Sequence, residues 1–155
     1  MNILFASSEA VPFAVSGGLA EVAGALPKAL KAKGEDVRVI LPLYGSVTEE
    51  QRAEMKYLLN FDVAVAWRRQ YCGVFEAKAD GVTYYLLDNE YYFKRSGLYG
   101  YYDDAERFAF FSRAVLDTVK HLEELDGFKP DIIHCNDWQT ALIPVYYNCF
   151  YRDAP

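Results

Sequence analysis

Positive charge is in short supply. Lys and Arg number 16 against 22 Asp and Glu, a formal net charge of −6. That excludes a general attraction to nucleic acid or to an anionic membrane surface; an anion would have to be held by a local device. Histidine is limited to His121 and His134, and cysteine to Cys72, Cys135 and Cys149. Three scattered cysteines without a C-x-x-C exclude a disulfide framework and fit free thiols in a reducing, cytoplasmic setting. No His/Cys cluster has metal-ligand spacing, so no metal is expected. The opening residues MNILFASSEA lack the basic region and long apolar core of a secretory signal, and no apolar run reaches membrane-spanning length. Neither G-x-G-x-x-G nor a P-loop occurs, which disfavours a dinucleotide or Walker-type site. Internal repeats and low-complexity segments are absent too.

What is present is a chain of 155 residues, 52% hydrophobic, enough for one domain with a real core. Asn2 to Ala6 is a short apolar run that reads as a buried parallel strand. Loop residues follow, then Leu19, Val22, Ala23, Leu26 and Leu30 at helical spacing. Pro27 is expected to kink or restart that helix and Gly34 to end it. Asp36 to Pro42 reads as a second strand, completing a βαβ unit with a right-handed crossover. Between Leu58 and Leu87 three β-rich runs predict an antiparallel or mixed extension, with Asp80-Gly81 as a hairpin turn. An aromatic, glycine-dotted loop runs from Asn89 to Tyr102. Asp103 and Glu106 have capping-box spacing at the start of a long helix, whose stripe of Phe108, Phe111, Val115, Val119 and Leu122 points to core packing. Gly127 and Pro130 end it, Asp131 to Asn136 reads as another buried strand, and Asp137 as the N-cap of one final helix. The pattern is α/β, three-layered, with a mainly parallel sheet.

Two strand-to-helix turns are the candidates for chemistry. Val15, Ser16, Gly17 and Gly18 lead into the first helix, where free amides and the positive dipole end suit an anion and glycine lets it approach. A tight turn without a ligand is the plainer reading of the same residues. Asn136, Asp137, Gln139 and Thr140 cluster at the second turn, where Trp138 stacks on a sugar or plugs the core. In an open parallel sheet ligands bind at the carboxyl ends of the strands, where both turns lie. Tyr99, Asp103 and Asp104 set aromatic faces beside carboxylates, a combination that suits carbohydrate.

Three stretches carry a resemblance: ILFASSEAVPFAVSGGLAEVAGALPKALKAKGEDVRVILPLYG, YYDDAERFAFFSRA and HCNDWQTALIPVYY. In order and spacing they resemble the bacterial glycogen synthases and plant starch synthases. The resemblance implies a Rossmann-like domain of a GT-B glycosyltransferase, with two such domains facing each other. It implies transfer of glucose from ADP-glucose to the non-reducing end of an α-1,4-glucan, with retention and without metal or other cofactor. It places Val15, Ser16, Gly17, Gly18 and Glu21 on the donor phosphate side. Asp137 and Gln139 fall at catalytic positions, and Asn136, Trp138, Thr140, Tyr99, Asp103 and Asp104 on the sugar and glucan side. The family usually carries lysine where this chain has Val15, and often histidine where it has Gln139. Residues 1–155 are then expected to be one incomplete N-terminal domain, inactive without its C-terminal nucleotide-binding partner domain. The alternatives are a non-catalytic glucan-binding or regulatory relative and, less compatible with the missing glycine fingerprint, a dehydrogenase-like nucleotide binder.

Overall fold

The computed structural model describes residues 1–153; Ala154 and Pro155 lie outside the described residues. β1 (Asn2–Ala6), α1 (Gly18–Ala32) and β2 (Asp36–Pro42) form the expected βαβ unit. The two strands pair in parallel from Asn2↔Asp36 to Ala6↔Ile40. Leu4, Phe5, Ala6, Val39, Ile40 and Leu41 are wholly buried, the mark of strands covered on both faces.

α1 differs from the sequence reading in two respects. It runs unbroken through Pro27. Its buried stripe is Ala20, Ala23 and Pro27, with Leu26 and Leu30 flanking, while Val22 is half-exposed. The small residues set the orientation because the helix lies close against the preceding loop. A Cβ on Gly24 would stand 3.1 Å from the Val11 Cβ.

β3 (Lys56–Val65), β4 (Arg68–Ala79) and β5 (Val82–Asp88) are antiparallel neighbours. Asp80 and Gly81, with φ of 51° and 77°, make the tight turn between β4 and β5. β5 then pairs in parallel with β2, joining the extension to the parallel sheet. Two short helices escape the sequence pattern because each is barely a turn long. α2 (Glu49–Ala53) is closed by a Thr48/Gln51 capping box, and α3 (Glu90–Phe93) is capped by Asn89.

α4 (Asp104–Asp126) buries Phe108, Phe111, Val115 and Leu122, with Val119 partly buried, and ends at left-handed Gly127. The expected Asp103/Glu106 capping box does not form. Both carboxylates have stronger partners: Arg95 grips Asp103, and Glu106 accepts from Arg68 and the Tyr92 hydroxyl. β6 (Ile132–Cys135) pairs in parallel with β1 and closes the strand order β3-β4-β5-β2-β1-β6. It is half-exposed, not buried, because it is an edge strand. The expected single final helix is three pieces: a 3₁₀ turn Trp138–Thr140, α5 (Leu142–Tyr146) and a π-helical turn Tyr147–Tyr151. Pro144 has no amide to offer Thr140 four residues back, which interrupts the ladder there.

Candidate functional site

β1 and β6 are adjacent and parallel, so the segments that follow them leave from the same edge of the sheet. Asn136 fastens the two strand ends together. Its Nδ2 donates to the Ala6 carbonyl at 2.9 Å and to the His134 carbonyl at 3.3 Å.

The first turn is built around a residue the sequence reading passed over. Ser7, Ser8 and Glu9 are buried directly after β1. Glu9 Oε1 accepts the Ala20 amide at 3.2 Å, and Oε2 accepts the Ser16 hydroxyl and the Tyr99 hydroxyl at 3.0 Å. Glu9 thus caps α1 from outside, where the N-cap Gly17 has no side chain to do so. The signal was available: a helix opening on glycine needs its cap from elsewhere, and Glu9 is the acidic residue between strand and helix. Glu9 takes the third helical amide only. Among the described residues the amides of Gly18 and Leu19 meet no protein acceptor.

Gly17 and Gly18 are exposed, and nothing lies within 4 Å of where a Cβ on either would stand. Gly17 has φ of −166°, an extended backbone open to any residue, so the fold itself does not require glycine here. Ser16 and Val15 are exposed beside them, Val15 at 58%. Packing of this valine into the core is thereby excluded. Glu21 is exposed on the first turn of α1 and lines an open cavity of about 540 Å³ with Val11, Lys28 and Tyr84.

At the second turn Asp137 has φ 63° and ψ −175°, a conformation that costs a non-glycine residue about 1–3 kcal/mol. Its carboxylate accepts the amide of the next residue, Trp138, at 2.7 Å and is otherwise exposed. Trp138 neither plugs the core nor stands free. It is 51% exposed, with Phe108 edge-on at 5.2 Å and Tyr99 at 6.5 Å. Thr140 is buried and donates to the Asn136 and Asp137 carbonyls. The Gln139 carbonyl accepts from Ser112 at 3.2 Å, while its buried Oε1 has no partner.

Tyr99 joins the turns. Its hydroxyl shares a hydrogen bond with Ser8 at 2.6 Å and donates to Glu9, and its ring lies beside Trp138. Burial, reinforced by the Glu9 carboxylate, pushes its phenol above the usual range, which keeps the donated proton in place. Asp103 and Asp104 are committed to the loop itself. Arg95 forks onto Asp103 at 2.6 and 2.7 Å and holds that carboxyl below the usual range. Asp104 accepts the Gly100 and Tyr101 amides and the fully buried Arg107. The structure therefore gathers Ser16, Gly17 and Gly18 with Tyr99, Trp138 and the Asn136–Asp137 turn, and leaves Asp103 and Asp104 as loop anchors. Among the described residues no group of three or more His, Cys, Asp or Glu is placed to hold a metal ion, and no helix is long and apolar enough to cross a membrane.

Comparison with known proteins gives one result throughout. The family model described as starch synthase catalytic domain matches residues 2–155. A glycogen synthase of Clostridium botulinum is 59% identical over 145 residues, 94% of this chain and 30% of the relative. One from Caldicellulosiruptor saccharolyticus is 54% identical over 155 residues, all of this chain and 32% of the relative. Among solved structures, the catalytic domain of starch synthase IV from Arabidopsis thaliana, bound to ADP and acarbose, superposes with a TM-score of 0.85 at 32% identity. That match covers 97% of this chain and 30% of the other. The chain spans about a third of the length of the curated relatives it matches.

Proposed function

Since the chain belongs to the starch synthase catalytic domain family, we propose that it forms the N-terminal, acceptor-side part of a retaining glucosyltransferase. The donor is ADP-glucose and the acceptor the non-reducing end of an α-1,4-glucan. The facing wall of the cleft, with the cations that meet the phosphates, belongs to a C-terminal nucleotide-binding domain, and the setting is cytoplasmic. The observation that carries this reading is the Gly17–Gly18 turn. Two unpaired amides open a helix there, and the space a Cβ would fill is empty although the backbone does not call for glycine. A pyrophosphate fits that cradle by hydrogen bonds and by the helix dipole. The solved starch synthase IV holds ADP, a ligand that carries such a group.

In this reading Gly17, Gly18 and Ser16 hold the donor phosphates, and Glu21 borders them. Asp137 presents an exposed carboxylate to the transferred glucose, positioned by a strained backbone and by Asn136. Trp138 and Tyr99 offer flat faces to sugar, and Thr140 fixes the turn. Gln139 contributes through its carbonyl, and its side chain turns inward. One wall alone neither excludes water nor completes the charges around a developing oxocarbenium ion.

Val15 gives a direct test. A lysine at this exposed position would reach the cradle with a compact charge suited to phosphate. The chain is placed in a chimera, in front of the remainder of the Caldicellulosiruptor saccharolyticus relative, and titrated with ADP by calorimetry. Val15→Lys is expected to tighten ADP by about 0.5–2 kcal/mol, a gain that shrinks as salt rises. Equal or weaker affinity in a folded variant would show that another cation already serves the phosphates.

A further inference from the structure

Among the buried residues of α4, Arg107 alone carries a charge. It is wholly buried on the first turn of the helix, beside Phe108. Its Nε donates to the Tyr92 carbonyl in α3 at 2.7 Å. One terminal nitrogen donates to the Leu98 carbonyl at 2.8 Å and to Asp104 Oδ1 at 2.9 Å, and the other is buried without a partner among the described residues. Packing gives no reason for a guanidinium here. Apolar side chains of similar volume commonly fill a core as well as a buried ion pair does, and an orphaned buried nitrogen is a cost. What an apolar side chain cannot do is hold backbone carbonyls.

The groups it holds surround Tyr99. Residues 94–103 join α3 to α4 without helix or strand, so no ladder of backbone bonds fixes them. Arg107 takes the Leu98 carbonyl just before Tyr99. Its ion-pair partner Asp104 takes the Gly100 amide at 2.8 Å and the Tyr101 amide at 3.2 Å just after it. Gly100, with φ of 95°, lets the chain turn there. Tyr101 closes the loop from its other end. Its hydroxyl accepts the Gly97 amide at 2.9 Å, and its ring lies against the guanidinium groups of Arg107 at 4.9 Å and Arg95 at 4.8 Å. One buried ion pair thus pins the backbone on both sides of Tyr99. The Tyr99 side chain is left facing the two turns, its hydroxyl on Ser8 and Glu9 and its ring beside Phe108 and Trp138. Lysine could not replace the fork, because a single nitrogen does not span Tyr92, Leu98 and Asp104.

We propose that Arg107 is a positioning residue for the sugar site, acting on Tyr99 through Asp104 and the backbone of residues 98–101. It touches no substrate. It sets where the Tyr99 ring and hydroxyl stand between Glu9 and Trp138. The proposal deepens the reading of Tyr99 as a sugar-facing residue and rests on it. A role in folding alone predicts a fall in stability and nothing more. A positioning role predicts slower glucose transfer at full ADP affinity, and a loss that depends on the presence of Tyr99.

The test is a double-mutant cycle in the chimera, read as kcat and KM for glycogen and as ADP affinity by calorimetry, with circular dichroism as the control for folding. Arg107→Lys keeps the charge and loses the fork. It should lower kcat/KM for glycogen about ten- to a hundredfold and leave ADP affinity within about twofold. Asp104→Asn should act in the same direction, and it carries the cycle if the buried lysine prevents folding. With Tyr99→Ala already present, either change should cost no more than about a further twofold. A second readout uses this chain alone. Trp67 and Trp138 are its two tryptophans, so in a Trp67→Phe background Trp138 reports by itself. Arg107→Lys or Asp104→Asn should shift its emission to longer wavelength as Tyr99 moves away. Unchanged transfer in the folded variants, losses that multiply with that of Tyr99→Ala, or ADP affinity falling in step with transfer each overturns the proposal. A parent chimera that transfers no glucose is instead the failure of the glucosyltransferase reading. An emission shift then still supports Arg107 as the group that places Tyr99, and no shift overturns that as well.

Discussion

Glu9→Ala is expected to destabilise this chain by about 3–5 kcal/mol, seen as a fall in the melting temperature of roughly 10 °C. The side chain is 2% exposed and satisfies three donors from three segments: the Ala20 amide in α1, the Ser16 hydroxyl and the Tyr99 hydroxyl. Truncation leaves the Ala20 amide with only the Gly17 carbonyl at 3.3 Å and the Tyr99 hydroxyl with only Ser8, turns the exposed Ser16 hydroxyl to water, and opens a cavity among them. Glu9→Gln keeps the shape, but one of its two terminal atoms becomes a donor facing donors. It is expected to cost about 1–3 kcal/mol. Ser16→Ala removes a single bond and should cost about 1 kcal/mol, while Tyr99→Phe removes two, to Ser8 and Glu9, and should cost about 1–3 kcal/mol. Thermal and urea unfolding of the four variants measure this. A cost below about 1 kcal/mol for Glu9→Ala would mean that Glu9 does not hold the two turns together.

Gly18 is expected to show opposite signs in stability and binding. Gly18→Ala should stabilise the chain by about 0.4–1 kcal/mol, since the position is helical, no neighbour stands in the way, and alanine loses less entropy on folding. In the chimera the same change should weaken ADP, and Gly18→Val should weaken it at least about tenfold, because the added carbons occupy the approach to the amides. Melting curves and ADP titration on the same preparations decide it. Undiminished ADP affinity in the valine variant would show that the turn is not the phosphate cradle.

The fold was legible where burial writes itself into the sequence. β1, β2 and the central strands are continuous apolar runs because both faces are covered, and Asp80-Gly81 announced its turn through the conformation glycine permits. On α1 the stripe was legible at Ala23, Leu26 and Leu30 and misplaced at Val22: close packing against Val11 selects small residues, so Ala20 and Pro27 share the buried side with Ala23 while Val22 faces out. The capping box at Asp103 was misread because spacing does not show competition, and Arg95, eight residues earlier, takes that carboxylate. At the site, the glycine pair and the Asn136–Asp137 turn could be read from local chemistry. Glu9 could not be read by looking for clusters, because its partners Ser16, Ala20 and Tyr99 converge only in three dimensions.

The measurement that bears most directly on the central claim, that these turns are one wall of an ADP-glucose cleft, is incorporation of labelled glucose from ADP-glucose into glycogen. It is run on this chain alone and on the chimera that supplies the facing domain. The expected result is no incorporation above buffer for the chain alone and sustained, ADP-glucose-dependent incorporation by the chimera. Protein-dependent incorporation by the chain alone, or none by a folded chimera, would contradict the claim.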